Sequence, residues 1–457
     1  MAKVKTQEPS KIEFHSEAGA RFAELAQEVL KSIRSFGSVE TPPTGGVEIH
    51  PIANISADQV VGEIKAIESS FNALHEETGR YWTSNGLRVG WEGPEFDAIK
   101  DLALRFGNAT PIKGRVSNSF LLDEIFRWLK ETLEAKRSDT LPQHVAERCS
   151  SEIKDHEIWV PVYRTYSAAN FEIGDVEFRP VSKALLDQWY ARVPEDEAKK
   201  PEMAQWINRK RARIQGSIAA CIRMRAEVNK AREIAQSAAS DAVGVLRFLS
   251  PVNWTCKLVS HCLPVGKENT RQAMELLVEN GAIKRVTEAS IEEGPAGWNI
   301  DEARHMSPGL LESLHKLALQ REGTEFKRDL YGALLLHSRH SVAAETLHKI
   351  VLVASAIESL LLRDTHEPIQ KNLGERMAFI IGNSLEERRA VVKNVEEFYR
   401  IRSAFFHHGQ SVSHEDEEIV DKFFFNVWFC LGRLLLQIDQ YETKDKLLAV
   451  LEDRKLS

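Results

Sequence analysis

In the segment Phe398-Tyr399-Arg400-Ile401-Arg402-Ser403-Ala404-Phe405-Phe406-His407-His408-Gly409, an arginine precedes two adjacent histidines by five and six residues. An imidazole titrates near neutrality and serves as base or acid. A guanidinium stays charged and holds phosphate oxygens through paired donors, so it suits charge developing on a phosphorane. RNA supplies its own nucleophile, the 2′-hydroxyl. Its cleavage then needs a base for that proton, an acid for the leaving 5′-oxygen and positive charge at phosphorus, with no metal required. A structural reading stands beside this one. Arg402 lies at the edge of the apolar stripe Phe398, Ile401 and Phe405 and can pair with a buried acid, for which Glu358 is the obvious candidate. His407 or His408 can equally be a C-terminal residue favoured by the helix dipole.

Positioning decides between these readings. At about 100° per residue, positions five apart on a helix lie about 140° apart, so Arg402 and His407 cannot share one face of a continuous helix. Either the helix ends near His407, which Gly409 favours, or a two-fold axis brings two arginines and two histidines into one cleft.

One apolar pattern runs through the segment and three surround it. Leu347, Val351, Ala354, Ile357 and Leu361 form one helical stripe; Met377, Phe379, Ile380 and Ile381 lie on a shorter helix that ends at Gly382-Asn383. Val391, Val395, Phe398, Ile401 and Phe405 mark a third helix, and Phe424, Val427, Leu431, Leu434, Leu435 and Ile438 a fourth. Four amphipathic helices with short connections predict a bundle within 306–457. Ser413 and Asp416 cap the fourth helix, and Glu415, Asp416, Glu417, Glu418 and Asp421 suit its positive end while opposing a broad basic cleft.

With these pieces in place, the C-terminal part, about 340–440, resembles the HEPN superfamily and within it the ApeA-like branch. That branch's motif runs Tyr, two residues, Arg-Ser, three residues, His, with Gly close behind. Tyr399, Arg402, Ser403, His407 and Gly409 fill those places, with His408 inserted before the glycine. Ala356-Ile357-Glu358-Ser359-Leu360-Leu361 resembles the branch's Glu-bearing first core helix, and Gly374-Glu375-Arg376-Met377-Ala378 the helix that follows. The resemblance implies a metal-independent endoribonuclease with Arg402 and His407 or His408 as catalytic residues and Ser403, Tyr399 and Glu358 in support. It also implies a homodimer through the C-terminal bundle, no cofactor and a setting in bacterial anti-phage defence or stress response. Other HEPN domains are silent modules for dimerisation and for RNA or protein binding, which is the alternative.

The rest of the chain sets limits. Its 457 residues suggest about three domains. We expect 1–150 to be mostly helical, 151–305 to be a mixed α/β region and 306–457 to be the bundle, so the fold class is α+β and predominantly helical. Upstream, a helix is expected from Ser56 to about Gly79 through Val60, Ile64, Ile67, Phe71 and Leu74, a loop from Trp82 to Pro94, and a hairpin where Phe171-Glu172-Ile173 and Val176-Glu177-Phe178 flank Gly174-Asp175. A long helix is expected over Met203 to Leu249 and short strands over Val252 to Leu258 and Ile283 to Ile291. The hairpin region is also similar to what precedes the ApeA-like domain.

The chain carries 60 Lys plus Arg against 67 Asp plus Glu, a net charge of −7 that excludes a general DNA-coating protein and leaves nucleic-acid contact to a local patch. Between 209 and 233 eight Lys or Arg face two acids, so Arg209, Lys210, Arg211 and Arg213 are candidate RNA contacts, or else a solvated helix face. Trp206 and Trp254 can stack on bases but suit core packing better. Five sparse cysteines form no disulfide framework and fit a reducing cytoplasm. Cys256, His261 and Cys262 match no common zinc spacing, and no metal site is expected. His337 and His340 are expected in a loop. No secretory signal and no membrane span is read.

Overall fold

The computed structural model of the chain describes residues 12–38, 68–84, 87–192, 211, 214–260, 262–265, 270–279, 282–292, 297–363, 367–408 and 412–456. These fall into two compact units. One comprises the described residues up to Ile158 together with Arg223–Ile234, and the other Trp159–Ile222 with those from Ala235 onward.

The first unit contains helix α1 (Ser16–Lys31), strands β1 (Arg34–Ser38), β2 (Glu68–Phe71), β3 (Glu77–Ser84) and β4 (Leu87–Glu92), then helices α2 (Pro94–Gly107), α3 (Asn118–Leu133) and α4 (Leu141–Glu152). The strands make an antiparallel sheet in the order β1-β4-β3-β2. Its core joins Trp82 and Trp91 to Phe96, Phe106, Phe126 and Leu129, all buried.

Two expectations are corrected here. The helix over Ser56 to Gly79 is overturned from Glu68 onward by β2 and β3, while 56–67 lie outside the described residues. The apolar positions that suggested it are not core: Phe71 is 61% and Leu74 77% exposed. Instead, the Asn72 side chain accepts the Leu74 and Glu76 amides in an Asx-type turn between the strands. The described residues between Trp82 and Pro94 are not a loop: they belong to the β3–β4 pair and the start of α2, while 85 and 86 lie outside the described residues. Gly90 sits opposite Tyr81, where a Cβ would come within 2.1 Å of the Arg80 carbonyl oxygen, so this glycine serves close strand approach.

The chain continues through β5 (Lys154–Pro161), β6 (Thr165–Tyr166), β7 (Phe171–Ile173), β8 (Val176–Pro180), α5 (Lys183–Tyr190), β9 (Ile218–Ala226) and α6 (Val228–Leu246). The hairpin forms as expected: β7 pairs with β8, Phe171 stacks on Phe178 at 4.9 Å, and Gly174 takes a φ of 59° that favours glycine. A second sheet has the order β5-β9-β8-β7. Of the helix expected over Met203 to Leu249, α6 carries the part from Val228 to Leu246 and β9 overturns it over 218–226, while 203–210, 212 and 213 lie outside the described residues. The run Ile218-Ala219-Ala220-Cys221 is buried, as a central strand requires, and the Glu227 carboxylate accepts the Asn229 and Lys230 amides where α6 begins. The strand expected over Val252 to Leu258 is not present; Pro251–Trp254 is a 3₁₀ turn.

Next come β10 (Thr270–Glu279) and β11 (Ala282–Glu292), an antiparallel pair, then β12 (Trp298–Asn299), which lies parallel to β6. The C-terminal stretch is helical, as read from its periodicity: α7 (Ile300–Met306), α8 (Leu310–Leu319), α9 (Glu325–His340), α10 (Thr346–Leu361), α11 (Ile369–Ile381), α12 (Leu385–His408), α13 (His414–Leu435) and α14 (Lys444–Leu456). The molecule is thus α+β with helices in the majority. Phe398 of α12 stacks on Phe423 of α13 with ring centres 3.6 Å apart, and both are fully buried. Ser413 caps α13 in a reciprocal box with Asp416. Among the described residues no helix is long and apolar enough to cross a membrane.

Candidate functional site

Helix α12 presents two faces. Val391, Val395, Phe398 and Ile401 are buried on one. On the other, Glu396, Tyr399, Arg402, Ser403 and Phe406 line one wall of a cleft of about 860 Å³, whose opposite wall is the start of α11 with Glu367, Pro368 and Lys371. On an ideal helix these five α12 positions span an arc of about 120°.

Arg402 has one foot in the protein and one in the cleft. Its Nη1 donates to Glu358 Oε1 of α10 at 3.0 Å, and the same oxygen accepts the Tyr399 hydroxyl at 2.5 Å. The arginine side chain remains 26% and the glutamate 20% exposed. Its guanidinium lies 5.4 Å from the Tyr399 ring and 5.9 Å from the Phe406 ring, the residues one turn before and one turn after it. Tyr399 is 5% exposed; burial first, and then the adjacent Glu358 carboxylate, push its phenol well above the usual range, so it remains a donor. Among the described residues no second hydrogen bond engages Arg402. Its orientation is therefore fixed through one nitrogen while the other donors stay available at the cleft.

The sequence named Arg402, Ser403, Tyr399 and Glu358, and the structure brings these four together. It adds Glu367, Lys371, Glu396 and Phe406, which were not foreseen. The α12 members among them were legible as positions three to four residues from Tyr399 and Arg402. Glu367 required the tertiary fold. Arg376 binds it through both nitrogens, at 2.6 and 3.0 Å, and also donates to the Leu361 carbonyl at the end of α10. This guanidinium, through its hydrogen bonds, holds the Glu367 carboxyl down to about 2. The motif Gly374-Glu375-Arg376 thus braces the cleft's second wall.

His407 and His408 fall in the last turn of α12, and their side chains lie outside those described, as does Gly409. The helix runs through both positions, so Arg402 and His407 do not share one face within a chain. By helix geometry position 407 falls about 20° beyond the edge of the cleft-lining arc, whereas position 408 is about 120° from either edge. The acidic run that follows is largely engaged: Asp416 caps α13, and Glu417 pairs with Lys257 at 3.1 Å.

The basic stretch does not form one helix face. Arg211 pairs with Asp187, Arg223 stands on β9 and binds Glu157 at 2.8 Å, and Lys230 on α6 binds Glu233 at 2.9 Å. Arg209, Lys210 and Arg213, like Trp206, lie outside the described residues. Trp254 packs edge-on against Trp428 at 5.2 Å.

His337 and His340 belong to α9 rather than a loop, and both are fully buried. Burial pushes the His340 imidazole down to about 3 and His337 well below its ordinary value. All five cysteines are free and buried; burial raises the Cys256 and Cys262 thiols to about 12 and about 11. His261 lies outside the described residues, among which no group of three or more His, Cys, Asp or Glu is arranged to hold a metal ion. No family model, no curated protein and no solved structure matches this chain.

Proposed function

We propose that the chain is a metal-independent endoribonuclease of HEPN type, with the α12 cleft as its active site. The observation that carries this reading is the state of Arg402: anchored by Glu358 through one nitrogen, yet partly exposed in a cleft large enough for a nucleotide. An anchored guanidinium is pre-organised, so its remaining donors meet phosphate oxygens without a large ordering cost.

In this mechanism a histidine takes the 2′-hydroxyl proton, the 2′-oxygen bonds to phosphorus, the phosphorus–5′-oxygen bond breaks and a second histidine protonates the departing oxygen. Arg402 carries the charge of the pentavalent intermediate. The position of residue 407 beside the cleft-lining arc favours His407 over His408 for this work. Because one helix cannot bring Arg402 and His407 onto a single face, the full set is assembled from two copies related by a two-fold axis. The protein then acts as a homodimer through its C-terminal helices, in the cytoplasm, in bacterial anti-phage defence or a stress response.

The Arg402–Glu358 pair itself favours a second reading, a silent module that dimerises and binds RNA or a protein, because the carboxylate offsets the guanidinium's charge. RNA incubated in EDTA with the wild type, Arg402→Ala and His407→Ala separates the two. The nuclease reading expects metal-free cleavage that falls about 100-fold or more in each variant. Cleavage that survives both changes, or that requires a divalent ion, rejects the assignment, and binding without cleavage selects the silent module.

A further inference from the structure

The cleft holds an aromatic ring for which the mechanism has no task. Phe406 stands one turn beyond Arg402 and is 50% exposed. A single exposed phenylalanine is ordinary on a protein surface. This one differs in its surroundings. It lines the same cleft as Arg402, whose guanidinium lies against it, and Phe405 braces it edge-on with ring centres 6.3 Å apart. Tyr399, the other aromatic of the cleft, is buried with its hydroxyl committed to Glu358. Among the described residues that line the cleft, Phe406 is therefore the aromatic face offered to a ligand.

We infer that Phe406 is a stacking platform for a nucleobase adjoining the phosphate that Arg402 holds, an inference that rests on the RNA-directed reading above. One helical turn separates the two side chains, about 5–6 Å between Cβ atoms, a reach that a nucleotide spans between its phosphate and its base. Stacking on an aromatic side chain tolerates sequence because every base has a π face, and it requires a base unstacked from its neighbours. The site therefore takes single-stranded or looped RNA, with larger purine faces held more firmly than pyrimidines, and a paired helix is excluded. Phe406 acts here in binding, not in proton transfer.

The test measures binding of a fluorescein-labelled oligoadenylate of twelve residues carrying 2′-O-methyl riboses, which cannot be cleaved, by anisotropy. The full-length wild type is compared with Phe406→Ala, Phe406→Trp and Phe406→Leu, each checked for native circular dichroism and unchanged sedimentation. The expected result is that Ala weakens binding about 5- to 100-fold, Trp restores it and Leu does not, and that a uridylate probe binds more weakly than the adenylate. Restoration by Leu shows that apolar bulk suffices and overturns stacking. An Ala variant that binds like the wild type overturns it too, while leaving the RNA-directed reading in place. A wild type that binds neither probe overturns both. An Ala variant that sediments differently assigns Phe406 to a contact between copies and also ends the proposal.

Discussion

The unit that holds the C-terminal helices places cations in two contrasting surroundings. At the cleft, Arg402 shares its charge between Glu358 and solvent. Deeper in the same unit Lys349 is 1% exposed, and its ammonium donates to the carbonyl oxygens of Cys256 and Leu258 at 2.7 and 2.6 Å. Asp421 grips the same segment from the other side, accepting the Cys256 amide at 2.6 Å and the Thr255 hydroxyl at 3.0 Å. Nearby Arg247 is buried with its Nη1 on the Cys262 carbonyl at 3.3 Å and no partner for Nε among the described residues. The buried cations bind backbone and hold one segment in place, whereas Arg402 is held at one end only. A charge committed to carbonyls in the interior is a structural bolt. A charge oriented by one carboxylate at a cleft keeps donors for a ligand. Residue type alone does not separate these roles; the number of donors left facing solvent does.

Stability measurements sharpen this contrast. Lys349→Ala removes a buried ammonium and strands two carbonyls, so chemical denaturation should show a loss of about 3 kcal/mol. Arg402→Ala, at a solvent-screened pair, should cost less than about 1 kcal/mol. Equal losses in the two variants would erase the distinction and make Arg402 another bolt.

A smaller effect comes from His337 and His340. Both are neutral in the native protein because burial depresses their values, His340 to about 3. Above about pH 6.5 the unfolded chain is neutral at these sites too, and they add no pH dependence. As pH falls below that, the unfolded chain takes up protons that the native one refuses, and stability drops until the native values are reached. The slope is on the order of 1 kcal/mol per pH unit for each ring. Thermal melts from pH 7.5 to 5.5 should therefore show a falling midpoint that His337→Leu with His340→Leu flattens; an unchanged slope in the double variant would place the acid sensitivity elsewhere.

A further modest effect belongs to Tyr399→Phe. It deletes one hydrogen bond to Glu358 and leaves the Arg402 contact, so the expected cost is about 1 kcal/mol in stability. If Tyr399 orients the Glu358–Arg402 pair, the rate of RNA cleavage also falls several-fold while KM changes less. A variant with wild-type turnover would reduce the phenol to a packing role.

Much of the helical C-terminal stretch was legible in the sequence. The stripes Leu347–Leu361, Val391–Phe405 and Phe424–Leu435 repeat at helical spacing and lie in α10, α12 and α13, with Ile438 in the turn that follows, and the Ser413 cap is a local code of two residues. The first unit was read less well. Ile64, Ile67, Phe71 and Leu74 imitate helical spacing, but Phe71 and Leu74 are exposed beside an Asx-type turn. Period alone cannot tell which apolar residues the rest of the chain will cover. The same holds for Ile218–Cys221, an alanine-rich run that suits a helix in isolation and becomes a buried strand because β8 is there to pair with it.

For the candidate site, the sequence by itself determined which residues share the cleft-facing side of α12, because a helix converts spacing into direction through local hydrogen bonds alone. It also nominated Glu358 as Arg402's partner from charge and apolar context. Only the tertiary structure decided that this pair stays open to solvent, that Arg376 fixes Glu367 across the cleft, and that Lys349, His337 and His340 are sealed inside. Those outcomes depend on which distant segments come to lie over a side chain and exclude water from it, and that information is spread over contacts far apart in the chain.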